Sequence, residues 1–386
     1  MDQEQAKSIL KDIIKIKSVN PPGDETLVAN KLKALFDQYG IETELVEYSE
    51  NRTNLIARLK GTNSPDGPTL GLTGHMDVVP PGEIDWEHDP FGAEEADGKI
   101  YGRGACDMKS GLVACVLAMI SLKEEGLPLN GEITLLATVG EEAGAVGAKQ
   151  LVDRGYADHL DALIIAEPTQ NQIKIAHKGA LWPQITTYGK TAHGSMPDVG
   201  INAIVHMNEI IHQILSEQFK LDYEEDELLG SPTYSIDVIR GGSNTNVVPD
   251  QCSTNIDIRT VPSQNHQKII KQLEQVIDTT KNKYPDLKAD IRILNDQPPM
   301  RTPGDSPFVK LVQEAVKSIY GSAELGGMTG YTDGSQFMQS NNHFPIIVLG
   351  PGDTSVAHQP DEYVEVEEYL NSIKLYKDIA KKFLNE

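Results

Sequence analysis

Three strand-like runs in this chain each end at or just before a side chain that can hold a cation, and this pattern restricts the fold more than any other feature. Thr69-Leu-Gly-Leu-Thr stops at Gly74 and is followed by His75. The run 132–138 leads into Glu141 and Glu142, and 162–166 leads into Glu167. Segments of helical character lie between them, at 111–124 and about 145–153, after opening amphipathic helices near 3–17 and 24–39 and strands near 41–48 and 54–60. Strands alternating with helices predict an α/β sheet with helices on both faces. In such sheets ligands gather at the carboxyl ends of the strands.

The middle of the chain has a different rhythm. Strand (179–189), helix (200–217), strand (233–240), strand (246–260), helix (264–281) and strand (288–294) give the β-α-β-β-α-β order of a ferredoxin-like unit. The expected organisation is a larger domain in two segments, 1–176 and 295–386, interrupted by an inserted domain at 177–294. The fold class expected is therefore α/β: a mixed-sheet domain with an inserted α+β ferredoxin-like domain.

Charge excludes one class of partner. Against 34 basic residues stand 57 acidic ones, a net charge of −23 that would repel a nucleic acid. No apolar run approaches the roughly 20 residues of a membrane span, so no membrane partner is expected. The N-terminus lacks the apolar core of a signal peptide, and three cysteines without a CxxC pair suggest reduced thiols, so the expected location is the cytoplasm.

The motifs carry the chemistry. In Gly74-His-Met-Asp, His75 and Asp77 are two apart, and a carboxylate beside an imidazole is a common partner for a metal-binding histidine. Taken alone, such a pair is more often a local hydrogen bond. Tyr101-Gly-Arg-Gly-Ala-Cys-Asp fails as a dinucleotide loop, because Asp107 stands where a third glycine belongs and would repel a pyrophosphate. Asp107 suits a cation, or else an N-cap for the helix that follows. Glu167 ends a strand too apolar to be exposed, so its charge needs a partner. His358 lies in the turn-rich loop after a strand at 345–349. Two histidines, one aspartate and three glutamates with no likely thiol ligand fit two hard or borderline cations sharing a bridge.

Gly74-His-Met-Asp, WEHDPF at 86–91, YGRGACDMK at 101–109, Glu141-Glu142, Ala166-Glu-Pro and Ala357-His-Gln-Pro-Asp-Glu together resemble the M20 family of metallopeptidases and deacylases over essentially the whole chain. That resemblance implies two divalent metal ions, zinc foremost with cobalt or manganese as alternatives. It assigns His75 and Glu167 to one ion, Glu142 and His358 to the other, and Asp107 to both, with a cis peptide at Asp107–Met108. Asp77 would orient His75. Neighbouring residues at a strand end cannot aim at one point, so Glu142 would bind metal while Glu141 takes a proton from the attacking water.

The resemblance makes the larger domain, 1–176 and 295–386, a dinuclear-metal hydrolase (catalytic) domain and 177–294 its lid and dimerisation domain. In that lid, His193 resembles the family histidine that stabilises the oxyanion, often across a dimer interface. Asn246 and Arg259 are candidates for a substrate carboxylate, and Gly327 and Thr332 belong to a glycine-rich substrate loop. The implied reaction removes an N-acyl group from a small N-acylated amino acid, N-succinyl-diaminopimelate in first place, in a homodimer joined through the lid. The Ala357-His-Gln-Pro-Asp-Glu-Tyr segment is closer to the acetylornithine deacetylase end of the family, so acetylornithine deacetylase, aminoacylase and dipeptidase stay open. A non-catalytic binding protein on this fold is disfavoured, since Glu141 and every candidate ligand are present.

Overall fold

A computed structural model describes residues 2–126, 128–216 and 219–385. The chain divides into two compact units, one of Met1–Ala176, Met300–Gly327 and Thr332–Glu386, the other of His177–Pro299 and Met328–Tyr331.

A nine-stranded mixed sheet organises the first unit. Its central strands run in the spatial order Arg52–Lys60, Asn130–Thr138, Ser64–His75, Ala162–Ile165 and Ile346–Val348. The last four are mutually parallel, with His75 opposite Thr138 and Thr73 opposite Ile165. Parallel strands buried on both faces need continuous apolar sequence, and Ala162–Ile165 is buried at every position. The strand through His75 is longer than expected, Ser64–His75 rather than a short run from Thr69. Its turn-like start, Ser64-Pro-Asp-Gly-Pro, hides the pairing of Ser64 with Asn130 across an irregular register.

Helix Lys109–Glu125 has thirteen buried residues distributed around its whole circumference, as a helix enclosed on all sides must. It packs between strand Ser64–His75 and the long C-terminal helix Val366–Asn385. Gly111 permits this approach: a Cβ there would lie 1.8 Å from the Ala166 carbonyl oxygen. The helix that begins just after Asp107 is thereby pressed against the strand end that presents Glu167.

In the second unit the strands Thr233–Gly241, Gln251–Thr260, Gly179–Tyr188 and Lys288–Gln297 pair antiparallel in that order. This is the ferredoxin-like arrangement. Helices Ala203–Leu215 and His266–Lys283 cover one face, and Leu181, Ile185, Met207, Ile210, Ile256 and Leu273 fill the layer between. Burial along Gln251–Thr260 alternates residue by residue, the signature of a sheet with one face covered. Asn202 and Asn265 cap the two helices through their side chains. The last residue expected of the 200–217 helix, Glu217, lies outside the described residues.

Replacing Gly111 with alanine forces a methyl group into the Ala166 carbonyl, and overpacking of this kind costs about 1–3 kcal/mol. Urea unfolding of Gly111→Ala should show a lower midpoint with an unchanged slope. A midpoint equal to that of the parent would mean the helix and strand are not in this contact.

Candidate metal centre

His75 is the last residue of strand Ser64–His75, and Glu141 and Glu167 follow neighbouring parallel strands by three and two residues. The parallel register therefore delivers three ligand-bearing side chains to one edge of the sheet. His358 arrives from the loop after Ile346–Val348, held in a left-handed backbone conformation at φ 63°. Asp107 sits ahead of helix Lys109–Glu125 but does not cap it: the N-cap is Met108, with no side-chain cap bond. The Asp107 carboxylate is left to face the histidines. The Asp107–Met108 peptide is cis.

Asp107 occupies the middle of the cluster. Its Oδ1 is 3.0 Å from His75 Nε2, and its Oδ2 is 3.4 Å from His358 Nε2. Glu167 Oε1 lies 3.7 Å from His75 Nε2, and Glu142 Oε1 lies 3.0 Å from His358 Nε2. Ligand atoms of His75, Glu141 and Glu167 lie within 4.8 Å of one another, as do those of His75, Asp107 and Glu142. The six residues selected from the sequence as candidate ligands and base thus lie together.

Asp77 is fully buried beside His75. His75 Nδ1 donates to the Asp77 main-chain carbonyl at 2.9 Å, while the nearer carboxylate oxygen is 3.5 Å away. A carbonyl can only accept, so Nδ1 carries the hydrogen and Nε2 is the nitrogen turned to the cluster. The Asp77 carboxylate also accepts from Asn20 Nδ2 at 2.8 Å and from the Glu141 main-chain N–H at 3.2 Å. It fixes the glutamate pair as much as the histidine.

The electrostatics are those of carboxyls buried close together. Burial, then the Asp107 charge, pushes the Glu167 carboxyl well above the usual range. Burial and then Glu167 do the same to Glu141, and burial and Asp107 raise Glu142. His358 is raised to about 10 by its hydrogen bonds to Asp107 and Glu142. Burial opposes a charge on His75, but Glu167, Asp107 and Asp77 outweigh it and hold its pKa well up. Buried carboxylates at this density are stable only with positive charge among them, from protons or from metal ions. Imidazole and carboxylate donors at these separations fit divalent ions of the zinc, cobalt or manganese type.

Four further residues escaped the sequence reading. Asn20 holds Asp77, as described. Asp333 is buried, its Oδ2 accepting from Thr138 Oγ1 at 2.5 Å, and burial lifts its carboxyl to about 6. Arg103 and Glu362 form a buried ion pair behind Asp107. Arg103 and Glu362 lay inside quoted motifs, but nothing local to either marks its distant partner.

Thr332 is buried and its hydroxyl accepts from the Gly334 N–H at 3.1 Å, while Gly327 lies in strand Leu325–Met328. His193, Asn246 and Arg259 belong to the second unit. There His193 is exposed, its Nδ1 2.8 Å from Ser195 Oγ, and Gly194 N–H donates to the Asn246 carbonyl at 2.7 Å. Arg259 already forks onto Asp257, at 2.8 and 2.9 Å.

The fold and this donor set define a metal-dependent hydrolase of amide bonds. Residues 71–382 match Peptidase family M20/M25/M40, and the chain belongs to that family. A probable succinyl-diaminopimelate desuccinylase from Staphylococcus aureus is 35% identical, over 100% of this chain and 98% of its own length. An acetylornithine deacetylase from Buchnera aphidicola is 32% identical over 88% of this chain and 86% of its own. An M20 family metallo-carboxypeptidase from Sulfolobus solfataricus shares the fold, with a TM-score of 0.81 at 22% identity and full coverage of both chains.

Replacing Thr138 with valine strips Asp333 of a buried hydrogen bond and should cost about 1–3 kcal/mol. Thermal unfolding of Thr138→Val in the presence of chelator would read this. An unchanged midpoint would show that the hydroxyl contributes nothing to the carboxylate's burial.

Proposed function

We propose that this hydrolase removes the N-acyl group of an N-acylated amino acid, with N-succinyl-diaminopimelate as the leading substrate, and that it works with two divalent ions. The observation that carries the dinuclear reading is the placement of Asp107, one oxygen toward His75 and the other toward His358. His75 and Glu167 would hold one ion, Glu142 and His358 the other, and Asp107 both. Zinc leads, with cobalt and manganese as alternatives. Bound there, the ions would polarise the scissile carbonyl and acidify the attacking water.

Glu141 is the general base in this reading. Its main-chain N–H is anchored by Asp77, and its carboxylate lies beside the ligand atoms of His75 and Glu167. It would accept the proton of the water and return it to the leaving amine. Asp77 keeps His75 Nε2 turned to the site through the Nδ1 bond. His193 would donate to the developing oxyanion, and Asn246 and Arg259 would hold a substrate carboxylate, which must compete with Asp257 for the arginine fork. Gly327 and Thr332 would line the substrate loop.

The desuccinylase reading rests on the relative that matches end to end. The second reading, acetylornithine deacetylase, is favoured by Ala357-His-Gln-Pro-Asp-Glu-Tyr and by the shorter match to such an enzyme. Homodimerisation through the lid is supported by apolar side chains left exposed on helix Ala203–Leu215 and on edge strand Thr233–Gly241, among them Val205, Leu215 and Ile239. A cytoplasmic location is supported by three free, buried cysteines. Among the described residues no helix is long and apolar enough to cross a membrane.

Amine release from succinyl-diaminopimelate, acetylornithine, acetylated amino acids and dipeptides, each with two equivalents of zinc or cobalt, decides the substrate. Preference for the succinylated compound supports the proposal; preference for acetylornithine replaces it with the second reading. Glu141→Ala should lower kcat on the order of 10²–10⁴-fold while metal content by elemental analysis stays near that of the parent. Glu142→Ala should lower both. Activity retained in Glu141→Ala would remove it as the base.

A further inference from the structure

We propose that Arg103 and Glu362 form a positioning unit that holds the two halves of the metal site in one frame, so that the ions at His75 and His358 are taken up together. This rests on the dinuclear reading above. Both side chains are buried, Arg103 at 1% and Glu362 at 0% exposure.

The geometry is that of a clamp. Glu362 Oε1 accepts three main-chain N–H groups in succession along one loop, from Gly104 at 3.0 Å, Cys106 at 2.9 Å and Asp107 at 3.0 Å. Its Oε2 pairs with Arg103 Nη1. The same guanidinium reaches across to the other loop, donating to the carbonyls of His358 at 3.3 Å and Gln359 at 3.4 Å, and to that of Pro80 at 3.4 Å. The ladder between Lys99–Tyr101 and Tyr363–Glu365 joins the two loops at their base, and the ion pair carries that tie inward to the Asp107 amide and the His358 carbonyl. Trp86 lies over the guanidinium at 5.0 Å and limits its movement.

Packing alone does not account for this arrangement. A buried ion pair is commonly replaced by apolar residues at no loss of stability, and here Arg103 Nε has no hydrogen-bond partner. What the pair supplies is direction: charge-assisted hydrogen bonds to both ligand-bearing loops at once. Outer residues that orient metal ligands typically affect affinity by about 10–100-fold.

The test is titration of the metal-stripped full chain with cobalt(II), followed by visible absorption and calorimetry, for the parent, Arg103→Lys and the double variant R103M/E362Q. Lysine keeps the charge next to Glu362 but cannot span both loops, so total cobalt affinity should fall about 10–100-fold, with the metal-free unfolding temperature close to that of the parent. In the double variant the amide oxygen still accepts the three N–H groups, while the tie to residues 358–359 is gone. One ion should bind as in the parent and the other be weakened, turning joint uptake into two separate steps. The assignment is overturned if both ions bind within about twofold of the parent in both variants, or if the metal-free variants do not fold, which would make the pair a folding element. A parent that takes up fewer than two ions overturns the dinuclear reading itself.

Discussion

Mutual repulsion among buried carboxylates is the constraint on which the site depends. Asp107, Glu141, Glu142 and Glu167 converge at one edge of a sheet whose interior is apolar, and burial makes each charge costly. Two histidines are the cations the chain itself places among them, and both are drawn toward the protonated form by their carboxylate neighbours. Divalent ions would relieve the same repulsion with more charge, displacing the protons that the histidines and carboxyls hold. The surrounding hydrogen bonds, to Asp77, Asp107 and Glu362, serve to hold groups together that would otherwise separate.

Folding delivers these groups through ordinary means. A parallel register aligns three strand ends, a helix enclosed by apolar neighbours sets Asp107 against them, and a glycine at 111 lets that helix approach the Ala166 carbonyl. Glu141 and Glu142, adjacent in one turn, face different neighbours. Glu142 is turned to His358, while Glu141 falls beside His75 and Glu167, with its main chain fixed by Asp77.

Much of this is legible in the sequence because each ligand follows a strand or precedes a helix whose apolar pattern is strong. His75, Glu141 and Glu167 could be placed from local signals alone, and the ferredoxin-like order of the second unit could be read from its alternating periods. Other features depend on distance in the chain. Arg103 and Glu362 are 259 residues apart, and Thr138 and Asp333 are 195 apart, so no local pattern reveals either pair. The proximity of Asp77 to His75 is local, but its contacts with Asn20 and the Glu141 amide are not. Asp107 read equally well as a helix cap until the backbone placed Met108 in that position.

In the proposed site one aspartate joins two metal ions. Anomalous diffraction from crystals of the protein grown with zinc, recorded on both sides of the metal's absorption edge, tests it most directly. Two peaks flanking the Asp107 carboxylate, one bounded by His75 and Glu167 and the other by Glu142 and His358, are the expected result. A single peak, or peaks that do not share Asp107, would contradict the account.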